Sequence, residues 1–158
     1  MQFDAVDLRI LGELQAAARL TNAELAQRVH LSPSPCLARV RTLEQSGVIS
    51  RYVTLLDPRS VGLNVSVFIQ VSLARQIEAA LEKFETAIAR FEEIMECYLM
   101  TGDADYLLRV VVGDLDELQH FIVNKLARID GVESIKSSIA LKNVKYNTAF
   151  PLTNAKLK

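Results

Sequence analysis

Between residues 4 and 47 the apolar positions recur every three to four residues, the period of a helix lying on a core. Leu8, Leu11 and Leu14 share one face with Ile10 beside them. Asp4 stands where an N-cap is needed and Asp7 falls in the first turn, where the helix dipole favours negative charge. This first helix is expected to fade near Arg19. Thr21-Asn22-Ala23-Glu24 has the spacing of a capping box and opens a short helix with Leu25, Ala26 and Val29 inward. His30 and Leu31 make a tight break. Ser32 then precedes Pro33, an N-cap followed by proline at the first helical position. The third helix is expected to bury Leu37, Val40 and Leu43, and Gly47 suits the position after its end. Two short helices joined by a tight turn, with the small Ala26 where they cross, form a helix-turn-helix pattern. Beyond Gly47, residues 48–56 read as extended, and a β-ribbon there would make a wing.

At residue 65 the period changes from helical to two. Val65, Val67, Ile69, Val71 and Leu73 point one way, and Asn64, Ser66, Gln70 and Ser72 the other, with Phe68 as the exception. Ile77, Leu81, Phe84, Ile88 and Phe91 follow at spacings of four, three, four and three, an amphipathic helix whose aromatics belong to a core. Strands are expected over 94–101 and 105–112, joined by a turn at Gly102-Asp103-Ala104. Asp114-Leu115-Asp116-Glu117 then opens a second helix with Leu118, Phe121, Ile122 and Ile129 inward, ended by Gly131. A long last strand is expected over 133–146. Strand-helix-strand occurs twice, at a repeat of about 40 residues, which is the split βαβ, or ferredoxin-like, plan with helices on one sheet face. Phe68, Tyr98 and Met100 give the other face a mixed character that suits packing on another subunit. The fold class is therefore α+β: a winged helix-turn-helix over 1–56, a linker over 57–64 punctuated by Pro58 and Gly62, a ferredoxin-like βαββαβ domain over 65–150 and a tail over 151–158.

With 50% hydrophobic and 23% charged residues in 158, the chain is an ordinary folded one, and no apolar run reaches membrane-spanning length. Cys36 and Cys97 alone make neither a disulfide scaffold nor a zinc site. Cys36 inside the third helix and Cys97 alternating inward on a strand read as small apolar fillers. A reducing, cytoplasmic setting fits this cysteine usage. Net charge is −1, but Arg28, Arg39, Arg41 and Arg51 stand against the single acid Glu44 within one stretch. The third helix also presents Ser34, Pro35, Ala38, Thr42 and Gln45 outward. Such a face suits approach to base edges, where arginine bonds guanine bidentately. It equally suits the solvated side of a small bundle. His30 and His120 have no partner at metal-ligand spacing, and no phosphate-binding glycine loop or nucleophile elbow is present.

The run LTNAELAQRVHLSPSPCLARVRTLEQSGVISRY, followed by TLLDP and by MTGDADYLLRVVV, resembles the leucine-responsive/asparagine regulator (Lrp/AsnC) family of transcription factors. The likeness spans roughly residues 3–150 and is greatest to the leucine-responsive branch. It implies a third helix that enters the major groove of double-stranded DNA, here bearing Ser32, Ser34, Pro35, Arg39 and Arg41; from the expected wing, Arg51 and Tyr52 would reach the DNA backbone. It implies homodimers that assemble further, often to octamers. It also implies a small amino acid as effector, with leucine or methionine leading and no other cofactor, bound between dimers by Leu99, Thr101, Gly102, Asp103 and Asp105 with Ser138, Ile139 and Ala140 opposite. Chemically, an amino-acid zwitterion needs an acceptor for its ammonium and donors for its carboxylate. Asp105 supplies the first and the backbone around Gly102 the second, although a glycine and an aspartate also serve simply to make and cap a hairpin. A basic stretch before the first helix, common in that branch, is nearly absent here, which lowers the expected non-specific affinity for DNA. Two other functions fit similar architectures: tetrapyrrole decarboxylation, which would want a histidine near haem, and amino-acid binding without DNA.

Overall fold

The computed structural model describes residues 3–152, which form two compact units, each with its own core. The first comprises the described residues up to Leu55 together with those from Val144 to Leu152. Its helices are α1 (Ala5–Ala16), α2 (Asn22–Arg28) and α3 (Pro33–Gln45). Asp4 caps α1 by accepting from the amides of Val6 and Asp7, and the Asp7 carboxylate accepts from the Asp4 amide in return. Thr21 and Glu24 make the same reciprocal box at α2. The helix-turn-helix turn places His30 at φ 58°, a left-handed position, and the Leu31 amide reaches back to the Ala26 carbonyl at 2.8 Å. That five-residue return is the closure of a Schellman turn, and it fixes the angle at which α3 leaves α2.

Three expectations change in this unit. The α1 helix ends at Ala16, short of Arg19. In α3 the buried residues are Cys36 and Leu43, with Val40 partly covered, while Leu37 lies exposed. The stripe is rotated by one residue because Cys36 is small enough to sit flush beneath α1 and α2. Residues 50–57 carry no strand, so the expected β-ribbon wing is not hydrogen-bonded within this chain.

The second unit, Leu56–Asn143, contains β1 (Val65–Leu73), α4 (Glu78–Ile88), β2 (Ile94–Leu99), β3 (Tyr106–Val112), α5 (Leu115–Asn124) and β4 (Val132–Ile139). The sheet order is β2-β3-β1-β4 and every neighbouring pair is antiparallel. Val67, Ile69, Val71, Tyr106, Leu108 and Val110 are buried on one face with Phe84 of α4 and Phe121 of α5. Phe84 meets Tyr106 at 4.6 Å between ring centroids, and Phe91 meets Phe121 edge-on at 5.9 Å. The opposite face leaves Phe68 and Tyr98 exposed. It also carries Glu96, which accepts from Arg109 and from the Tyr98 hydroxyl.

The edges depart from expectation. Cys97 points to the helical side, paired with Leu108, yet it is exposed, because the helices do not extend over β2. Burial still acts on its thiol, which is pushed up to about 11, so it is a poor nucleophile at neutral pH. The last strand stops at Ile139 rather than continuing to residue 146. The chain beyond Val144 belongs instead to the first unit, where the Phe150 amide and carbonyl bond the Gln15 side chain and Leu152 packs against the core. The rest of the expected tail, 153–158, lies outside the described residues.

Candidate DNA-reading helix and effector-binding turn

The first candidate site is the exposed side of α3. Ser32 is its N-cap residue but makes no side-chain capping bond. An N-cap hydroxyl bonds the second or third amide of a helix, and here the third helical residue is Pro35, which has none. The Ser32 hydroxyl and the Ser34 amide are thus left to face outward at the positive end of the helix, an arrangement that suits phosphate. Ser34, Pro35, Ala38 and Arg41 are exposed along the same helix. Arg41 is in no ion pair among the described residues.

Arg39 differs from its neighbour. Its guanidinium bonds Asp4 and Asp7 at 2.7 Å each, tying α3 to the capped end of α1. The two carboxylates hold the Arg39 pKa above its ordinary value. The Asp4 carboxyl is held below its ordinary 3.8, first by the Asp7 amide and then by Arg39. A carboxyl depressed by folding stabilises the fold above its unfolded pKa and loses that contribution as pH falls through the folded value. Stability of the first unit is therefore expected to be flat near neutrality and to drop below pH 3.8, with a shallower drop in Asp4→Asn. Denaturation midpoints followed by circular dichroism from pH 2 to 7 check this. Arg51 is exposed, while the Tyr52 hydroxyl donates to Glu44 at 2.9 Å. Burial, followed by that carboxylate, pushes Tyr52 up to about 12.

The second candidate site is the turn between β2 and β3. Thr101, Gly102 and Asp103 are exposed, and Gly102 takes φ 127°, which a side chain would strain. Asp105 is the reverse: only 7% exposed, it is the one buried charged residue among those described. Its Oδ2 accepts from the Leu73 amide at 2.7 Å and its Oδ1 from the Gln76 side-chain amide at 2.6 Å. The Leu73 amide is available because the β1–β3 pairing ends at Val71 and Tyr106, which leaves the last residue of β1 facing Asp105 rather than a strand partner. Gln76 is a residue that periodicity could not reveal, since it stands in the irregular segment before α4.

The remaining predicted residues do not join this turn in one chain. Ser138 and Ile139 pair with Phe68 and Val67 on β4, at the opposite edge of the sheet from β2, and Ala140 follows them. From Asp105 across β1 to β4 is two strand spacings, roughly 10 Å, and the register adds about 13 Å along the strands. Leu99, at the end of β2, is 62% exposed and Ile139 is 48% exposed, so each edge presents an apolar residue that its own chain leaves uncovered. Among the described residues no group of three or more His, Cys, Asp or Glu could hold a metal ion, and no helix is long and apolar enough to cross a membrane.

A helix-turn-helix with an outward-facing arginine-bearing second helix, carried with a separate sheet domain, defines a DNA-binding regulator of the ligand-sensing kind. Two family models match this division: winged helix-turn-helix DNA-binding over residues 3–50, and the Lrp/AsnC ligand binding domain over 66–150. The chain is 46% identical over 151 residues to the Bkd operon transcriptional regulator of Pseudomonas aeruginosa, covering 96% of this chain and 99% of that protein. It is 41% identical over 142 residues to the leucine-responsive regulatory protein of Escherichia coli K12, covering 90% and 87%. A transcriptional regulator of Neisseria meningitidis, solved as a complex with L-methionine, superposes with a TM-score of 0.92 at 41% identity, covering 96% of this chain and 97% of that one. The AsnC protein of E. coli gives 0.83 at 30% identity, covering 94% and 99%. The chain belongs to the Lrp/AsnC family of transcriptional regulators, with a helix-turn-helix DNA-binding domain and an amino-acid-binding domain.

Proposed function

We propose that this regulator reads DNA through Ser32, Ser34, Pro35, Arg39 and Arg41 of α3, with Arg51 on the phosphate backbone, and that a small uncharged amino acid sets its assembly. The observation that carries this reading is the pairing of an uncapped, arginine-bearing α3 with a buried carboxylate, Asp105, beside an exposed glycine turn. Leucine and methionine are the leading effectors. The N. meningitidis regulator bound to L-methionine supports this choice, as do the aliphatic surfaces of Leu99 and Ile139. The ammonium lies at Asp105 and the carboxylate at the amides around Gly102.

Because the Thr101–Asp105 turn and Ser138–Ala140 lie at opposite ends of the strands, the pocket is completed between copies. The exposed Phe68 and Tyr98 provide an additional face for association. Dimers present two copies of α3 to half-sites about one DNA turn apart, and dimers gather into higher assemblies, with an octamer as the expected end state. The chain acts in the cytoplasm as a regulator and not as an enzyme. The regulators it resembles support that reading, and a visible absorbance band from bound tetrapyrrole in the purified protein would overturn it.

The test is calorimetry against all twenty amino acids, with and without promoter DNA, joined to sedimentation. Binding of leucine or methionine with a shift in sedimentation is expected. A 17.6 kDa monomer at micromolar loading, unchanged by every amino acid, would sink the proposal.

A further inference from the structure

Asp105 is the proposed acceptor for the effector's ammonium, and it is also covered. Of its two oxygens, Oδ2 faces back into the fold against the Leu73 amide, and Oδ1 is met by the Gln76 side chain. Gln76 lies in the segment 74–77, which is exposed and belongs to no helix or strand. Ile77, the N-cap residue of α4, makes no side-chain capping bond, so no cap fixes the end of this segment where it enters α4. An ammonium arriving from solvent therefore meets the Gln76 amide before it meets the carboxylate.

We propose that Gln76 is a positioning residue of the effector site: its amide holds the Asp105 carboxylate in the free protein and is displaced by the ammonium of the bound amino acid. The inference rests on the reading that Asp105 receives that ammonium. The chemistry favours the exchange. Both donors offer N–H groups to the same oxygen, but the ammonium carries a full charge, and a charge-assisted bond to a carboxylate is roughly twice as strong as a neutral one. The Leu73 amide, fixed at the end of β1 just past its last pairing with β3, keeps the carboxylate oriented while its other oxygen changes partner. Gln76 is one residue from the N-cap of α4, so its release frees the segment that leads into that helix. A signal at the β2–β3 turn thereby reaches the α4 side of the sheet with no movement of the strands.

The experiment compares Gln76→Ala and Asp105→Asn with the parent, using L-methionine and L-leucine as probes. In Gln76→Ala the competing donor is gone, and methionine or leucine is expected to bind about three- to tenfold more tightly. An affinity equal to the parent's or weaker overturns the inference. Asp105→Asn keeps an oxygen for the Leu73 amide but removes the charge, so it is expected to fold and to lose amino-acid binding. An Asp105→Asn protein that binds normally, or a parent that binds neither probe, overturns the reading and the inference with it. If Asp105→Asn loses binding while Gln76→Ala is unaltered, the inference alone falls. A second readout follows the side-chain amide resonances of Gln76 by NMR, with exposed Gln119 of α5 as the internal control. Saturating methionine is expected to shift the Gln76 pair and speed its exchange, leaving Gln119 in place. An unmoved Gln76 pair overturns the displacement.

Discussion

Arg41→Ala is expected to weaken binding to cognate DNA by about 1–3 kcal/mol, which is between about five- and 150-fold, with no change in the protein's thermal midpoint. Arg41 stands exposed on α3 and belongs to no ion pair among the described residues, so its removal breaks none of the ion pairs that hold the first unit. Arg39→Ala separates two roles that the sequence merges. It too is expected to weaken DNA binding, but with a lowered midpoint for the first unit, because Arg39 joins α3 to Asp4 and Asp7. Fluorescence anisotropy on a cognate duplex at several salt concentrations, beside a thermal melt, tells them apart. If Arg41 contacts only phosphate, the salt slope falls by about one and all sequences weaken alike. A parent-like affinity in Arg41→Ala would remove it from the interface.

Phe121→Ala is expected to destabilise the effector-binding unit by about 3–5 kcal/mol, the range for emptying an aromatic site in a core. Phe121 is 1% exposed and stands edge-on to Phe91, beneath the face of the sheet that carries Leu108 and Val110. Domains are commonly stable by only about 5–15 kcal/mol, so this one substitution removes a large share. The first unit has a separate core of Ile10, Leu25, Val29, Cys36 and Leu43 and is expected to melt as before. A urea titration read by Tyr fluorescence and by hydrogen exchange resolves the two units. A single unchanged transition would show that the site refills without cost.

Periodicity located the helices and strands because each has one face on a core, and that condition is local. It erred where coverage depends on something farther away. Cys97 alternates to the helical side as expected, but alternation says which way a side chain points and not whether a helix reaches above it. Cys36 displaced Leu37 from the core because the close approach of three helices favours a small group over a large one. The apolar alternation beyond Gly47 and beyond Ile139 predicted strands, yet Val53, Leu55, Leu141 and Val144 are exposed, and among the described residues no strand pairs with them. At the candidate sites, the motif pointed to Asp105 and Arg39. Their partners Gln76, Asp4 and Asp7 became evident only from distances, since hydrogen bonds between elements leave no period in a sequence.

In the proposed pocket, shared between the Thr101–Asp105 turn of one copy and Ser138–Ala140 of another, the sensor's own abundance becomes part of its signal. A pocket shared between copies binds its amino acid with an apparent affinity that rises with protein concentration, and by linkage the amino acid tightens association by the same factor. A dilute regulator then needs more effector than an abundant one to reach the same occupancy. A cell that changes how much of this protein it makes would thereby change the amino-acid level at which its promoters respond, with no substitution in the pocket.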